Sequence, residues 1–132
     1  VSVPVKIEPE EVPEVVDRRI VTIATAIARR EGFFAQGDTL AKRNRNPGNL
    51  RCASAYLKAP YLAKVDGRNF CVFPSFELGW QALYFQVRLD MVERGKTLAQ
   101  FIEKYAPPIE NDTDAYVEFV AEYTGMDRDE KL

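Results

Sequence analysis

The chain has 132 residues, 18 Lys and Arg against 20 Asp and Glu, and a formal net charge of −2, with 46% hydrophobic and 29% charged residues. Those proportions fit one ordinary globular domain with enough length for a single core. The sequence has no histidine, which excludes Ser-His and Cys-His nucleophiles, His-ligated zinc and imidazole acid-base catalysis. Two cysteines cannot supply a four-thiolate site, so neither a metal nor an organic cofactor is expected. No apolar run approaches a membrane span.

If the chain is an enzyme, its acid-base groups are carboxylates, and glycosidic cleavage is a leading chemistry for them. Charge is unevenly spread. Between Asp17 and Cys71 there are 11 Lys and Arg against 4 Asp and Glu, and the remainder holds 7 against 16. A basic half would attract a polyanion such as nucleic acid or the anionic bacterial wall.

Residues 1–13 carry Pro4, Pro9 and Pro13 among Val and Glu, a composition for an extended arm, a linker or a tether to a partner. The start at Val1, with neither Met nor a signal-like segment, suggests a trimmed product. The domain proper is expected over 14–125. Its first helix should run from about Glu14 to Glu31. Ile20, Ala24, Ile27 and Glu31 share one line on a helix of 3.6 residues per turn. A carboxylate ending an apolar stripe is costly to bury ionised, and that environment suits a general acid. Gly32 can end the helix as a left-handed cap and leave Glu31 at the rim of a cleft.

Phe33 and Phe34 then offer either an apolar wall for a sugar ring or packing beneath a loop. Asp38, in Gly37-Asp38-Thr39, reads most simply as a turn residue. Asn46-Pro47-Gly48-Asn49 fits a type II turn, and the amides of Asn46 and Asn49 could also face a cleft. Leu50–Ala53 and Asn69–Phe73 are β-compatible, and Asp66-Gly67 signals a hairpin. Residues 50–73 are therefore expected as a small antiparallel lobe. Pairing there would bring Cys52 and Cys71 within disulfide reach, implying an oxidising compartment; two free thiols fit the sequence as well.

Ser75 should cap a second long helix with Phe76, Trp80, Leu83, Val87 and Met91 at helical spacing, closed near Gly95. Trp80 reads as core on that periodicity. Thr97 to Gln100 is a capping box for a third helix, stopped by Pro107 and Pro108. Glu110 to Thr113 offers caps for a last helix, which Gly125 ends. The tail, 126–132, is polar and expected to fray. The plan is α+β and predominantly α.

Several stretches together resemble bacterial and phage proteins of the lysozyme-like, lytic-transglycosylase-like superfamily. They are Glu31-Gly32, Arg43-Asn44-Arg45-Asn46-Pro47-Gly48-Asn49-Leu50-Arg51, Phe73-Pro74-Ser75-Phe76-Glu77-Leu78-Gly79-Trp80, and Tyr105-Ala106-Pro107-Pro108-Ile109-Glu110-Asn111-Asp112-Thr113. The resemblance covers about residues 17–125 and rests on their order and spacing. It implies a bilobal lysozyme-like domain whose groove lies between a small β-hairpin lobe and a helical lobe. The implied substrate is the peptidoglycan glycan strand, cleaved between N-acetylmuramic acid and N-acetylglucosamine. Glu31 would act as acid and then base, yielding a 1,6-anhydro end with no second catalytic carboxylate.

The chain departs from the better-known transglycosylases. Gly32 follows the Glu where they have Ser, and their Gly-Leu-Met-Gln and Tyr-Asn marks are missing. Tyr105, Glu110, Asn111 and Tyr116 match only by neighbourhood, as candidate groove residues. Glu-Gly followed by Asp and Thr also echoes phage muramidases, in which Asp38 would be a second carboxylate and the product hydrolytic. A non-catalytic wall-binding or virion structural module is a third reading. The resemblance implies an exported, periplasmic or virion-associated protein. Nucleic acid is not an expected partner, because the basic stretch Arg43–Arg51 lacks a recognisable binding signature.

Overall fold

The structure, a computed structural model, describes residues 17–132; the arm expected over 1–13 and the expected helix start at Glu14 lie outside them. The chain is mostly helical with one small two-stranded antiparallel sheet. Helix α1 spans Arg18–Arg30 and is capped by the Asp17 carboxylate, which accepts from the Arg19 N–H. Its apolar stripe is buried as the spacing requires: Ile20, Ile23, Ala24 and Ile27 all face the core. It packs against two later helices, Phe76–Val87 and Thr113–Thr124.

Short helices α2 (Leu40–Arg43) and α3 (Ser54–Leu57) flank the Asn-Pro-Gly-Asn turn. In the turn the Asn49 N–H reaches the Asn46 carbonyl at 3.0 Å. The left-handed residue is Asn49, with φ 48°, and not Gly48, so the turn is not type II, which needs positive φ at the glycine. Gly48 is required for space instead. A Cβ there would lie 2.4 Å from the Tyr105 hydroxyl and 2.8 Å from Leu83.

The β region is a small antiparallel hairpin, as expected. Strands β1 (Lys64–Val65) and β2 (Cys71–Val72) pair in register Lys64–Val72 and Val65–Cys71, and Arg51 and Phe70 form a further bridge. Between the Arg51 bridge and β1, Tyr56 buries its ring and roots the α3 turn in the core. The Asp66 side chain closes the hairpin by accepting from the Arg68 and Phe70 N–H groups at 2.8 and 2.9 Å. The Cys52–Cys71 disulfide, with Cα atoms 4.6 Å apart, ties the strip before α3 to β2.

Helix α4 (Phe76–Val87) is capped by Ser75 and runs directly into a π-helical turn, Arg88–Glu93. Leu83, Val87 and Met91 are buried, whereas Phe76 is half exposed and Trp80 only partly buried. Both belong to an outer aromatic cluster with Phe33 and Phe34, in which the Phe33 ring lies 5.2, 5.9 and 5.5 Å from those of Phe34, Phe76 and Trp80. Gly79 lets α4 approach the loop before the turn, since a Cβ would sit 2.1 Å from the Arg45 carbonyl oxygen.

Helix α5 (Leu98–Tyr105) opens on the expected capping box between Thr97 and Gln100. Helix α6 (Thr113–Thr124) is capped by Asp112 and ended by left-handed Gly125. The tail does not fray. Carbonyls of Glu130 and Arg128 accept from the Leu98 and Ala99 N–H groups at 2.9 and 2.8 Å, and Met126 is buried. A helix start leaves its first N–H groups without intrahelical partners, and the tail fills that need.

Candidate active site

Helix α1 ends on a Schellman motif. The Phe33 N–H bonds the Ala28 carbonyl and the Gly32 N–H bonds that of Arg29, with Gly32 left-handed at φ 86°. This stop places Glu31 at the end of the apolar stripe and half-buried in the lining of a cleft of about 830 Å³.

Both carboxylate oxygens of Glu31 are held. Asn49 Nδ2 donates to Oε1 at 3.0 Å, and the Tyr116 hydroxyl donates to Oε2 at 2.8 Å. Three elements meet here: the end of α1, the tight turn and the first part of α6. Tyr116 is 1% exposed. Its burial, next to the Glu31 charge, holds its phenol well above the ordinary value, so it stays a donor. Only the NH2 face of Asn49 can serve the carboxylate. Its Oδ1 is consequently buried with no hydrogen-bond partner among the described residues, a cost of about 1–3 kcal/mol of the kind met at functional sites.

Tyr105 lines the cleft and donates its hydroxyl to the Gly48 carbonyl, bracing the turn that carries Asn49. Glu110 and Asn111 also line it. Glu110 accepts from Arg51 at 2.8 Å, an ion pair between residues 59 apart in sequence, half exposed on both sides.

Two candidates fall elsewhere. Asn46 is fully buried. Its Oδ1 accepts from the Leu50 N–H at 2.9 Å, and its Nδ2 donates to the carbonyls of Leu50 (3.1 Å) and Cys71 (2.9 Å). It stitches the turn to β2 and does not line the cleft. Asp38 lies on the exposed loop after Gly37, its side chain 74% exposed and 3.4 Å from Arg43, and it does not line the cleft. Phe33 and Phe34 likewise belong to the outer aromatic cluster and form no wall of the cleft.

The cleft lining also holds residues that the sequence did not single out: Arg68, Gln86, Asp90, Arg94 and Lys104. Asp90 is 1% exposed. It accepts from Lys104 at 2.7 Å, Arg94 at 3.0 Å and Gln86 at 2.7 Å. Burial pushes its carboxyl up, but these three donors together hold it below the ordinary range. Only the π-helical turn hinted at this cluster, because such turns are frequent at functional sites, and it is not readable from spacing.

Among the described residues no three Cys, Asp or Glu side chains gather as a metal site, and no helix is long and apolar enough to cross a membrane. No protein-family model matches the chain, and neither a curated protein nor a solved structure was found similar to it.

Proposed function

We propose that the domain is lysozyme-like and cleaves the peptidoglycan glycan strand between N-acetylmuramic acid and N-acetylglucosamine, as a lytic transglycosylase with Glu31 as acid and base. The observation that carries this reading is the anchorage of one cleft carboxylate by Asn49 and Tyr116 from two further elements. Fixing a catalytic group in one orientation contributes to rate by positioning. Each Glu31 oxygen keeps a lone pair beyond the bond it accepts. Glu31 gives its proton to the glycosidic oxygen as the bond breaks. It then takes the proton of the muramic 6-hydroxyl, which closes on the anomeric carbon to leave a 1,6-anhydro end.

The exposed, Arg43-paired position of Asp38 favours this route over a muramidase that would use Asp38 to activate water. The two lobes of the proposed fold are the hairpin region with its disulfide and the helical remainder, with the cleft between them. The disulfide and the peptidoglycan substrate together favour an exported, periplasmic or virion-associated location.

Lysis of purified sacculi by the wild type, set against sacculus binding and lysis by Glu31→Gln, tests the assignment. Lysis lost with binding retained supports it. Binding by the wild type with no lysis leaves the wall-binding module as the better account.

A further inference from the structure

The cleft lining is richer in cations than a single acid-base carboxylate needs. Beside Glu31 it carries Arg51, Arg68, Arg94 and Lys104 against Asp90 and Glu110. The cationic part is built rather than incidental. The Tyr56 hydroxyl donates to Gln86 Oε1, which turns the Gln86 NH2 toward Asp90. Asp90, buried on the π-helical turn, in turn holds the heads of Arg94 and Lys104 side by side. Both side chains remain about half exposed, 50% for Arg94 and 44% for Lys104. Each has further N–H groups beyond the bond to Asp90. On the hairpin, Arg68 also lines the cleft and forms no ion pair within 4 Å among the described residues. Arg51 is held over the Phe70 ring at 4.2 Å and donates to the Arg68 carbonyl at 2.7 Å.

A neutral sugar polymer needs no such wall. Cations fixed along the lining of a cleft recognise carboxylates or phosphates. Resting on the peptidoglycan reading, we propose that Arg68, Arg94 and Lys104 form a subsite for the carboxylates borne by the glycan strand. Asp90 acts as the positioning residue that fixes two of these cations. The ligand chemistry is a sugar-linked carboxylate, whether the lactyl ether of the muramic residue or the peptide attached to it. The domain then discriminates a carboxylate-bearing strand from a neutral N-acetylglucosamine polymer by binding, in addition to any chemistry at Glu31.

The test is equilibrium binding by the Glu31→Gln chain, so that no cleavage intervenes. Three soluble oligomers of matched length serve as ligands: a neutral chitooligosaccharide, a peptide-free glycan strand with its lactyl carboxylates, and a peptide-bearing strand. We expect at least one carboxylate-bearing strand to bind about 10-fold tighter than the neutral oligomer, the advantage shrinking as salt rises. Which of the two strands gains tells the lactyl source from the peptide source. Lys104→Gln should remove most of the advantage while leaving affinity for the neutral oligomer unchanged. Arg68→Gln, which breaks no ion pair, should reduce it as well and serves if the first variant does not fold. Equal affinity for all three oligomers, no binding to any, or an advantage that survives the substitutions overturns the proposal. Product formation by the wild type is read separately, so loss of the cleavage reading and loss of this subsite are distinct results.

Discussion

Tyr116 and Glu31, 85 residues apart in sequence, are joined by a phenol-to-carboxylate hydrogen bond of 2.8 Å where Glu31 lines the cleft. The ring of Tyr116 is core and its hydroxyl is site, so the two roles separate by substitution. Tyr116→Phe keeps the buried ring and removes the donor. A hydrogen bond to a charged group contributes about 1.5–3 kcal/mol. Sacculus lysis should therefore fall about 10-fold or more, with a far smaller change in denaturation midpoint. Unchanged lysis would show that the phenol does not orient the carboxylate.

Asn49→Leu tests the second anchor. It removes the Nδ2 donor to Glu31 and the buried, unpartnered Oδ1 together. Activity should fall at least 10-fold, while part of the stability lost with the hydrogen bond returns because an orphaned acceptor is gone. The φ of 48° at Asn49 favours Asn over Leu, so Asn49→Asp serves as the companion variant. It keeps the shape but sets a second carboxylate against Glu31. Lysis by either variant at the wild-type rate would remove Asn49 from the site.

The glycines differ in what they tolerate. Gly79→Ala drives a Cβ against the Arg45 carbonyl oxygen, and Gly48→Ala drives one against Tyr105 and Leu83. Each should cost about 1–3 kcal/mol or more in urea denaturation. Gly48→Ala should also lower activity, because it displaces the turn that presents Asn49. Gly67→Ala meets nothing within 4 Å and should stay within about 0.5 kcal/mol.

Acid should find Asp90. Burial raises its pKa, but the donors Lys104, Gln86 and Arg94 win and hold it below the ordinary value of 3.8. A carboxylate with a depressed folded value contributes stability that is present above its unfolded value and lost as pH falls through the folded one. The denaturation midpoint should thus hold steady down to about pH 4 and drop below it. Asp90→Asn should be less stable at pH 7, by about 1–3 kcal/mol, and lose less on acidification. Parallel acid curves for the two proteins would contradict this role.

Reduction of the Cys52–Cys71 bridge, which spans 19 residues, should cost about 3 kcal/mol by loop-closure entropy. Thermal melting with and without reductant, alongside a Cys52→Ala/Cys71→Ala variant, reads that loss. A melting point unchanged by reduction would mean that the bridge contributes nothing to folding.

Much of the helical frame was readable because local signals agreed. Ile20, Ala24 and Ile27 mark the buried stripe, Gly32 stops it, and Thr97 with Gln100 forms a capping box. Glu31 was legible for the same reason, as the last position of a periodic pattern. The hairpin was legible from Asp66-Gly67, whereas the helical turn at Ser54–Leu57, rooted by the buried Tyr56, carries no such signal. Which way the Asn46 and Asn49 amides turn was not legible, because an amide inside a turn looks the same in sequence whether it faces a cleft or stitches backbone. The tail misled because its polar composition hides that it is the Arg128 and Glu130 carbonyls that engage α5. The cationic wall was invisible. Asp90, Arg94 and Lys104 come together through the π-helical turn, and Arg68 reaches the cleft only through the hairpin.

Mass analysis of the soluble fragments released from purified peptidoglycan by the wild type, with Glu31→Gln in parallel, reads the reaction at Glu31 itself. We expect 1,6-anhydro-muropeptides from the wild type and none from the variant. Reducing-end muropeptides would contradict the transglycosylase route, and fragments released equally by Glu31→Gln would remove Glu31 from the chemistry.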